Sequence, residues 1–201
     1  MAKAAKVATA TASPNHLYYG DNLDVLRESI ADESVDLIYL DPPFNSQVNY
    51  NVLFRAPTGQ QSKAQIEAFE DTWHWNERAE SAFDAVMQSG STDAAEMLRA
   101  MRSFLKENDM MAYLTMMAVR LLELHRALKA TGSLYLHCDP TASHYLKILL
   151  DAIFGPKNFR NNIVWKRAST VKGNFGQGSK FFGPNTDDIL FYSKSDDYTF
   201  K

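Results

Sequence analysis

The sequence predicts an α/β fold with a mostly parallel, doubly wound sheet. Helix-like and strand-like patterns alternate along the chain. One strand-like run, VDLIYLD at 35–41, is apolar without alternation, which is typical of a parallel strand buried on both faces. The 201 residues are 45% hydrophobic, which is enough for one globular domain with a real core. A single domain is therefore the first expectation from length alone.

The N-terminal half begins with a tail of small residues, 1–15, that we expect to be disordered. A short aromatic strand is predicted at 17–20, and apolar spacing predicts a helix over 22–30. The buried strand at 35–41 follows and ends at two prolines. We interpret residues 45–107 as an insertion with one or two short helices, because the pattern there is mixed.

The clearest periodicity begins at Asp109 and predicts a helix capped by Asn108 or Asp109 and ending at Thr131–Gly132. Its apolar stripe, with steps of four and three, consists of Met110, Leu114, Met117, Leu121, Leu124 and Leu128. Methionines at this spacing are typical core residues. We therefore expect this helix to lie at the centre of the fold.

A strand, SLYLHCD at 133–139, and a further helix follow. Asp139–Pro140 is predicted as the N-cap and first residue of that helix, with Tyr145, Leu149 and Ile153 facing inward. The helix is predicted to end at Phe154–Pro156. NNIVWK and DDILFYSK then predict two strands joined by a glycine-rich loop.

Polar residues follow three predicted strands, at Gly20–Asn22, Asp41–Asn45 and His137–Asp139. In an open α/β sheet, ligands bind outside the carboxyl ends of the strands. These three segments are therefore expected at one edge of the sheet.

The tetrad Asp41-Pro42-Pro43-Phe44 is the sharpest chemical signal. It combines a carboxylate acceptor, two prolines that stiffen the turn and an aromatic ring. These groups suit the amino group and flat face of a nucleic-acid base. The alternative is that Asp-Pro-Pro only ends the strand.

In this setting the chain resembles the permuted, or beta-group, amino-methylating DNA methyltransferases, whose hallmark is [DNS]-P-P-[YFW] after a strand. The resemblance runs from Leu17 to Lys201 and covers five blocks in order. The blocks are LYYGDNLDVL, VDLIYLDPPFN, TGSLYLHCDPTASHYLK with its preceding helix, FRNNIVWKR and DDILFYSKSDDYTF. It implies a Rossmann-like methyltransferase sheet and site-specific methylation at adenine N6, as in restriction-modification systems.

The resemblance implies that Asp41 and Pro42 accept hydrogen bonds from the target amino group. Phe44 would stack on a base flipped out of double-stranded DNA, and Pro43 would complete the turn. The methyl donor would be S-adenosylmethionine, with Asp21 contacting it and Asn45 lining the same pocket. Asp21 could equally be a helix N-cap. Methylation of cytosine N4 uses the same chemistry and stays open, although Asp at position 41 favours adenine.

The family's glycine-rich F-x-G-x-G cofactor block and its target-recognition region are not found in the sequence. We therefore expect residues 16–201 to be a partial, N-terminal catalytic domain with an incomplete sheet and an unpaired apolar edge. Isolated, it should be inactive and bind S-adenosylmethionine weakly or not at all. A C-terminal half or a second subunit would complete it. The other hypothesis is a non-catalytic DNA-binding remnant; a nicotinamide dehydrogenase is disfavoured because no G-x-G-x-x-G follows the first strand.

Charge is distributed unevenly along the chain. The net charge is −3, yet residues 152–186 contain six basic and no acidic side chains. In the family this stretch faces DNA, so Arg160, Lys166, Arg167 and Lys172 are predicted phosphate contacts. A solvated lysine-rich loop is the alternative. A restriction endonuclease is a further partner that the resemblance allows.

The remaining signals exclude other classes of protein. One cysteine rules out a disulfide framework, and no metal site is predicted. No apolar run suits a membrane helix and no secretory signal is evident, so we expect a cytoplasmic protein without membrane contact. Cys138 is expected to be a small core residue, His137 a structural histidine and Asp139 a helix cap.

Overall fold

The computed structural model describes residues 15–43, 49–52, 66–70, 73–167 and 185–200, with the backbone alone for 49–52 and 66–70. The predicted α/β class is confirmed. The elements are α1 (Asn22–Ser29), β1 (Val35–Leu40), β2 (Asn49–Val52), β3 (Ile66–Glu70), α2 (Glu77–Gln88), α3 (Thr92–Leu105), α4 (Asp109–Ala127), β4 (Leu128–Cys138), α5 (Ser143–Phe154), β5 (Phe159–Lys166) and β6 (Thr186–Ser193).

The main sheet has four strands in the order β1-β4-β6-β5. The predicted parallel pairing joins β1 to β4, whereas β6 runs antiparallel to both β4 and β5. The predicted C-terminal strand pair is thus confirmed. β2 and β3 form a separate antiparallel pair, which the sequence did not indicate.

The two faces of the main sheet have different surroundings. On one face Leu134, Leu136 and Cys138 are fully buried in a cluster with residues of the helices. On the other face, which we call the open face, Leu37 and Tyr39 of β1 are 59% and 56% exposed. Among the described residues, the helices therefore cover one face of the sheet, and the prediction that the strand at 35–41 is buried on both faces is wrong, because no described element packs on its Leu37 and Tyr39.

Helix α4 forms the centre of the core, as predicted. Asn108 caps it, accepting a 2.9 Å hydrogen bond from the Met111 amide. The predicted stripe is buried apart from the half-buried Met110. Its predicted end at Thr131–Gly132 is wrong, because the chain becomes strand at Leu128, where it pairs with Val35 of β1.

Two further element boundaries differ from prediction. The strand expected at 17–20 is not formed: this segment is exposed coil, with Leu17 99% exposed. No described strand lies beside it to pair with its backbone. Helix α5 begins at Ser143 rather than Pro140, because the Asp139 carbonyl accepts hydrogen bonds from the Ala142 and Ser143 amides and forms a turn first.

The inward face of α5 is only partly the one predicted. Leu149 is fully buried, but Tyr145 and Ile153 are half-buried. The other buried residues of this helix are Leu146, Leu150 and Phe154. The predicted end is confirmed at Gly155, whose φ of 85° lies in the left-handed region.

The range 45–107 contains α2 and α3. Helix α2 packs against α4, and α3 packs against both α4 and α5. This range therefore contributes to the core, and its status as an insertion stays a prediction. Residues 1–14 of the expected tail and 168–184 of the glycine-rich loop lie outside the described residues. Of the helices described, none is long and apolar enough to cross a membrane.

Candidate functional site

The Asp-Pro-Pro segment leaves β1 at the carboxyl edge of the sheet. The Asp41 side chain is 59% exposed, Pro42 is buried and Pro43 is half-buried. Pro42 is thus anchored in the protein while the neighbouring Asp41 carboxylate faces solvent. Phe44 and Asn45 lie outside the described residues, so their predicted roles stay predictions.

The carboxyl end of β4 meets this segment directly. Leu40 pairs with Leu136 in the parallel register, which brings the next residue of each strand together. His137 Nδ1 lies 3.1 Å from Asp41 Oδ1. Two of the three predicted strand ends therefore share one edge, and the histidine expected to be structural contacts the predicted catalytic carboxylate.

A third strand adds a second carboxylate, Asp187, which the sequence reasoning missed. Its side chain is 6% exposed and its Oδ2 lies 3.5 Å from His137 Nε2. The same oxygen lies 3.0 Å from Nε of Arg167. Asp41, His137, Asp187 and Arg167 thus form a continuous series, which we call the edge network.

Asp21 is the N-cap of α1, which is one of the two roles that the sequence predicts for it. It caps α1, with Oδ1 accepting a 2.9 Å hydrogen bond from the Leu23 amide. Nη2 of Arg120 lies 2.7 and 2.9 Å from its two carboxylate oxygens. Because Arg120 is 11% exposed, this ion pair ties α1 to α4. Contact with the cofactor stays a prediction.

A groove of about 420 Å³ lies beside Asp21, between α1, α2 and α4. Its lining includes Asp21, Arg27, Glu77, Arg78, Met116 and Val119. Asp41 does not line this groove. The groove therefore does not connect the predicted cofactor contact at Asp21 with the predicted base contact at Asp41. In the described part of the chain, no group of three or more side chains suits a metal ion.

The four predicted phosphate contacts have different surroundings. Arg160 donates to Ser193 Oγ at 2.8 Å and to the Ser195 carbonyl at 3.0 Å, and pairs with Asp196 at 2.9 Å. The hydrogen bond from Arg160 lowers the pKa of the Asp196 carboxyl. Lys166 and Arg167 are exposed at the end of β5. The last of the four, Lys172, lies outside the described residues.

Cys138 is fully buried, as expected of a small core residue. Burial raises the pKa of its thiol to about 12, and the nearby carboxylates of Asp188, Asp139 and Asp187 add to the effect. A thiol in this state is a poor nucleophile at neutral pH.

An acidic residue followed by two prolines at the carboxyl edge of an α/β sheet is what the resemblance to amino-methylating DNA methyltransferases predicts. The DNA methylase family profile matches residues 35–201, most of the chain. The chain belongs to this family, which includes both N6-adenine and N4-cytosine enzymes. The predicted resemblance is therefore confirmed.

Among individual relatives, the chain is 29% identical over 161 residues to the Mod subunit of the type III restriction-modification enzyme StyLTI of Salmonella typhimurium, covering 79% of this chain and 21% of that protein. It is 29% identical over 182 residues to the type II methyltransferase M.KpnI of Klebsiella pneumoniae, covering 90% and 32%. The solved structure of the cytosine-N4-specific PvuII DNA methyltransferase matches 90% of this chain and 49% of that chain, with 14% identity and a TM-score of 0.43. The chain thus spans a fifth to a third of the length of these two curated relatives.

Proposed function

We propose that this chain is the target-base-binding part of a DNA methyltransferase that methylates adenine N6 in duplex DNA within a restriction-modification system. The observation that carries the proposal is the position of Asp41. Its exposed carboxylate lies at the end of a parallel strand and is followed by buried Pro42, in a chain of the DNA methylase family.

The residues of the Asp-Pro-Pro-Phe tetrad suit an amino group attached to an aromatic ring. Such a nitrogen is a weak nucleophile because its lone pair is delocalised into the ring. Hydrogen bonds from its two protons to Asp41 and to the Pro42 carbonyl would favour a more tetrahedral nitrogen with an available lone pair. S-adenosylmethionine would supply the methyl group, and the nitrogen would lose one proton. Phe44 would stack on the flipped base.

The choice of adenine over cytosine rests on Asp at position 41. Methylation at cytosine N4 is the second candidate, because the family includes both activities and the same acceptors serve either amino group. A third candidate, DNA binding without catalysis, would use the basic residues alone.

The proposed DNA contacts are concentrated at the end of β5. Lys166 and Arg167 are exposed there, and Arg167 belongs to the edge network. Phosphate contact by these side chains and by Lys172 would orient the duplex beside Asp41. Arg160 already makes three contacts with residues 193–196, so we assign it mainly to holding that turn.

We propose that a C-terminal segment or a second subunit covers the open face and pairs with β1. In the described sheet the outer edge of β1 has no partner strand, and Leu37 and Tyr39 beside it are exposed. Unpaired apolar edges of this kind favour association with another chain. The named relatives are three to five times longer than the matched region, and a restriction endonuclease is a further proposed partner.

The test is methyl transfer from radiolabelled S-adenosylmethionine to duplex DNA. It would be measured with the chain alone and with the chain joined to the sequence that follows it in its gene. We expect label at adenine N6 in the joined protein, little or none with the chain alone, and loss of label in Asp41→Ala. Asp36→Ala is the matched control, since Asp36 is an exposed acid of the same strand that pairs with Lys129.

Each other outcome identifies a different function. Label at cytosine N4 would support the second candidate. DNA binding with no label in either protein would support the non-catalytic one. Equal activity of Asp41→Ala and Asp36→Ala would overturn the assignment of Asp41. Isothermal titration of the chain alone with S-adenosylmethionine should show weak or no binding, and micromolar affinity would contradict the incomplete cofactor site.

A further inference from the structure

We propose that His137 is a positioning residue for Asp41, and that Asp187 of β6, itself paired with Arg167 at the end of β5, holds His137 in place. The catalytic consequence of this proposal rests on the proposed function. The conformational part does not, because it concerns only how the Asp41 side chain is held.

The strand registers place Asp41, His137 and Asp187 on one face of the sheet. Side chains alternate between the faces of a strand, so Asp41 lies on the same side as exposed Tyr39. His137 pairs with Ile189 across β4 and β6. Asp187, two residues before Ile189, therefore lies on the same face as His137.

His137 contacts a carboxylate at each ring nitrogen. Nδ1 lies 3.1 Å from Asp41 and Nε2 lies 3.5 Å from Asp187. A proton on Nδ1 would donate to Asp41, and Nε2 lies within electrostatic contact of the Asp187 carboxylate, beyond the distance of a good hydrogen bond. The imidazole side chain is 17% exposed, so the surrounding sheet restricts its rotation.

The other end of the network fixes Asp187. This carboxylate is 6% exposed, and Arg167 Nε lies 3.0 Å from its Oδ2. A buried carboxylate with a cationic partner is held in one geometry, because moving it would leave a buried charge unpaired. The sequence of contacts therefore runs from a fixed group on β6, through His137, to an exposed group at the end of β1.

Asp41 needs such support because its side chain is more exposed than those of His137 and Asp187. An exposed aspartate would otherwise sample several staggered rotamers. With Oδ1 held by His137, Oδ2 is left to accept a hydrogen bond from an incoming amino group. A small misplacement of a group that orients a substrate is costly to the rate, so we infer that His137 sets the direction of this acceptor.

The test compares His137→Asn with His137→Gln in the 201-residue chain. The amide nitrogen of Asn can replace Nδ1 and donate to Asp41, whereas the longer Gln places its amide near the position of Nε2. Three-bond NMR couplings report the χ1 rotamers of Asp41. We expect one dominant rotamer in the wild type and in His137→Asn, and averaged couplings in His137→Gln. Equal couplings in all three proteins, or averaging in the wild type, would overturn the proposal.

A second variant covers the case in which His137→Gln fails to fold, as judged from its amide spectrum. Arg167→Gln removes the cation from the exposed end of the network without changing His137. We expect its Asp41 couplings to shift towards the averaged values, and wild-type couplings would contradict the role of β6. The methylation assay with Asp41→Ala tests the proposed function separately, because the rotamer measurement requires no methyl transfer.

Discussion

The two faces of β4 differ in what their residues do, although the residues alternate along one strand. Leu134, Leu136 and Cys138 are completely buried among the helices. Tyr135 and His137, between them, lie on the open face, where Tyr135 stacks on Phe191 at 4.4 Å and His137 contacts two carboxylates. One face therefore supplies packing energy and the other supplies polar contacts at its carboxyl end.

This difference teaches why apolar content alone is a poor guide to the core. Leu37 on β1 is as apolar as Leu136 on β4, yet its side chain is largely exposed. Hydrophobic stabilisation follows the area removed from water rather than the residue type. Matched substitutions on the two faces can therefore separate residues that stabilise this chain from residues available to a partner.

The largest expected effect is on the covered face. Leu136→Ala removes a fully buried side chain and should lower the free energy of unfolding by about 2–5 kcal/mol, because a cavity remains in the core. Urea denaturation followed by circular dichroism measures the change. A loss below about 1 kcal/mol would mean that the helices do not pack on this face as described.

An intermediate effect concerns pH. The raised pKa of Cys138, about 12, keeps the folded thiol protonated when the unfolded thiol ionises near its usual value of 9.0. Stability contributed by this group is thus present below about pH 9 and lost towards pH 12, at about 1.4 kcal/mol per pH unit. Burial also raises the pKa of Tyr192, so ionisation of this residue at high pH would likewise lower the stability of the folded chain.

Cys138→Ala isolates the contribution of the thiol to this pH dependence. The variant should lose stability less steeply than the wild type between pH 9 and 11 in urea denaturation. Only the slopes are compared, since the substitution itself also changes packing. Parallel curves would show that Cys138 is not protected from ionisation in the folded chain.

The smallest expected effect is on the open face. Leu37→Ala should change the free energy of unfolding by less than about 1 kcal/mol, because the side chain is 59% exposed. The same substitution at Leu136 is its matched control. Self-association, measured by analytical ultracentrifugation, should decrease in Leu37→Ala if this face binds another chain. A destabilisation equal to that of Leu136→Ala would remove the distinction between the faces.

The sequence predicted elements whose signal is local. Helix α4 was evident from its apolar spacing and the Asn108 cap, and the C-terminal strands from their apolar runs. Its end was missed because Leu128 continues the helical spacing while its backbone pairs with Val35. The start of α5 was missed because Asp139–Pro140 matches a helix N-terminus but first forms a turn.

The site residues, like the helices and strands, could be predicted only where the signal is local in sequence. Asp41 was predicted because its neighbours in sequence carry the signal. The edge network has no local signal, since its four members lie at the ends of β1 and β5 and within β4 and β6. The sequence does show that side chains alternate along each strand. Placing His137 and Asp187 on one face also requires the register between β4 and β6, which only the structure provides.

The parallel pairing of β1 and β4 also has a kinetic consequence. Lys129 and Asp36, which bond across these strands, are 93 positions apart in sequence. Closing a flexible loop of that length costs about 4 kcal/mol of chain entropy, whereas helices α2 to α4, which lie between, form from nearer contacts. Their prior formation shortens the loop. We therefore expect the Asp41–His137 contact to form late in folding, after the helices have brought β1 alongside β4.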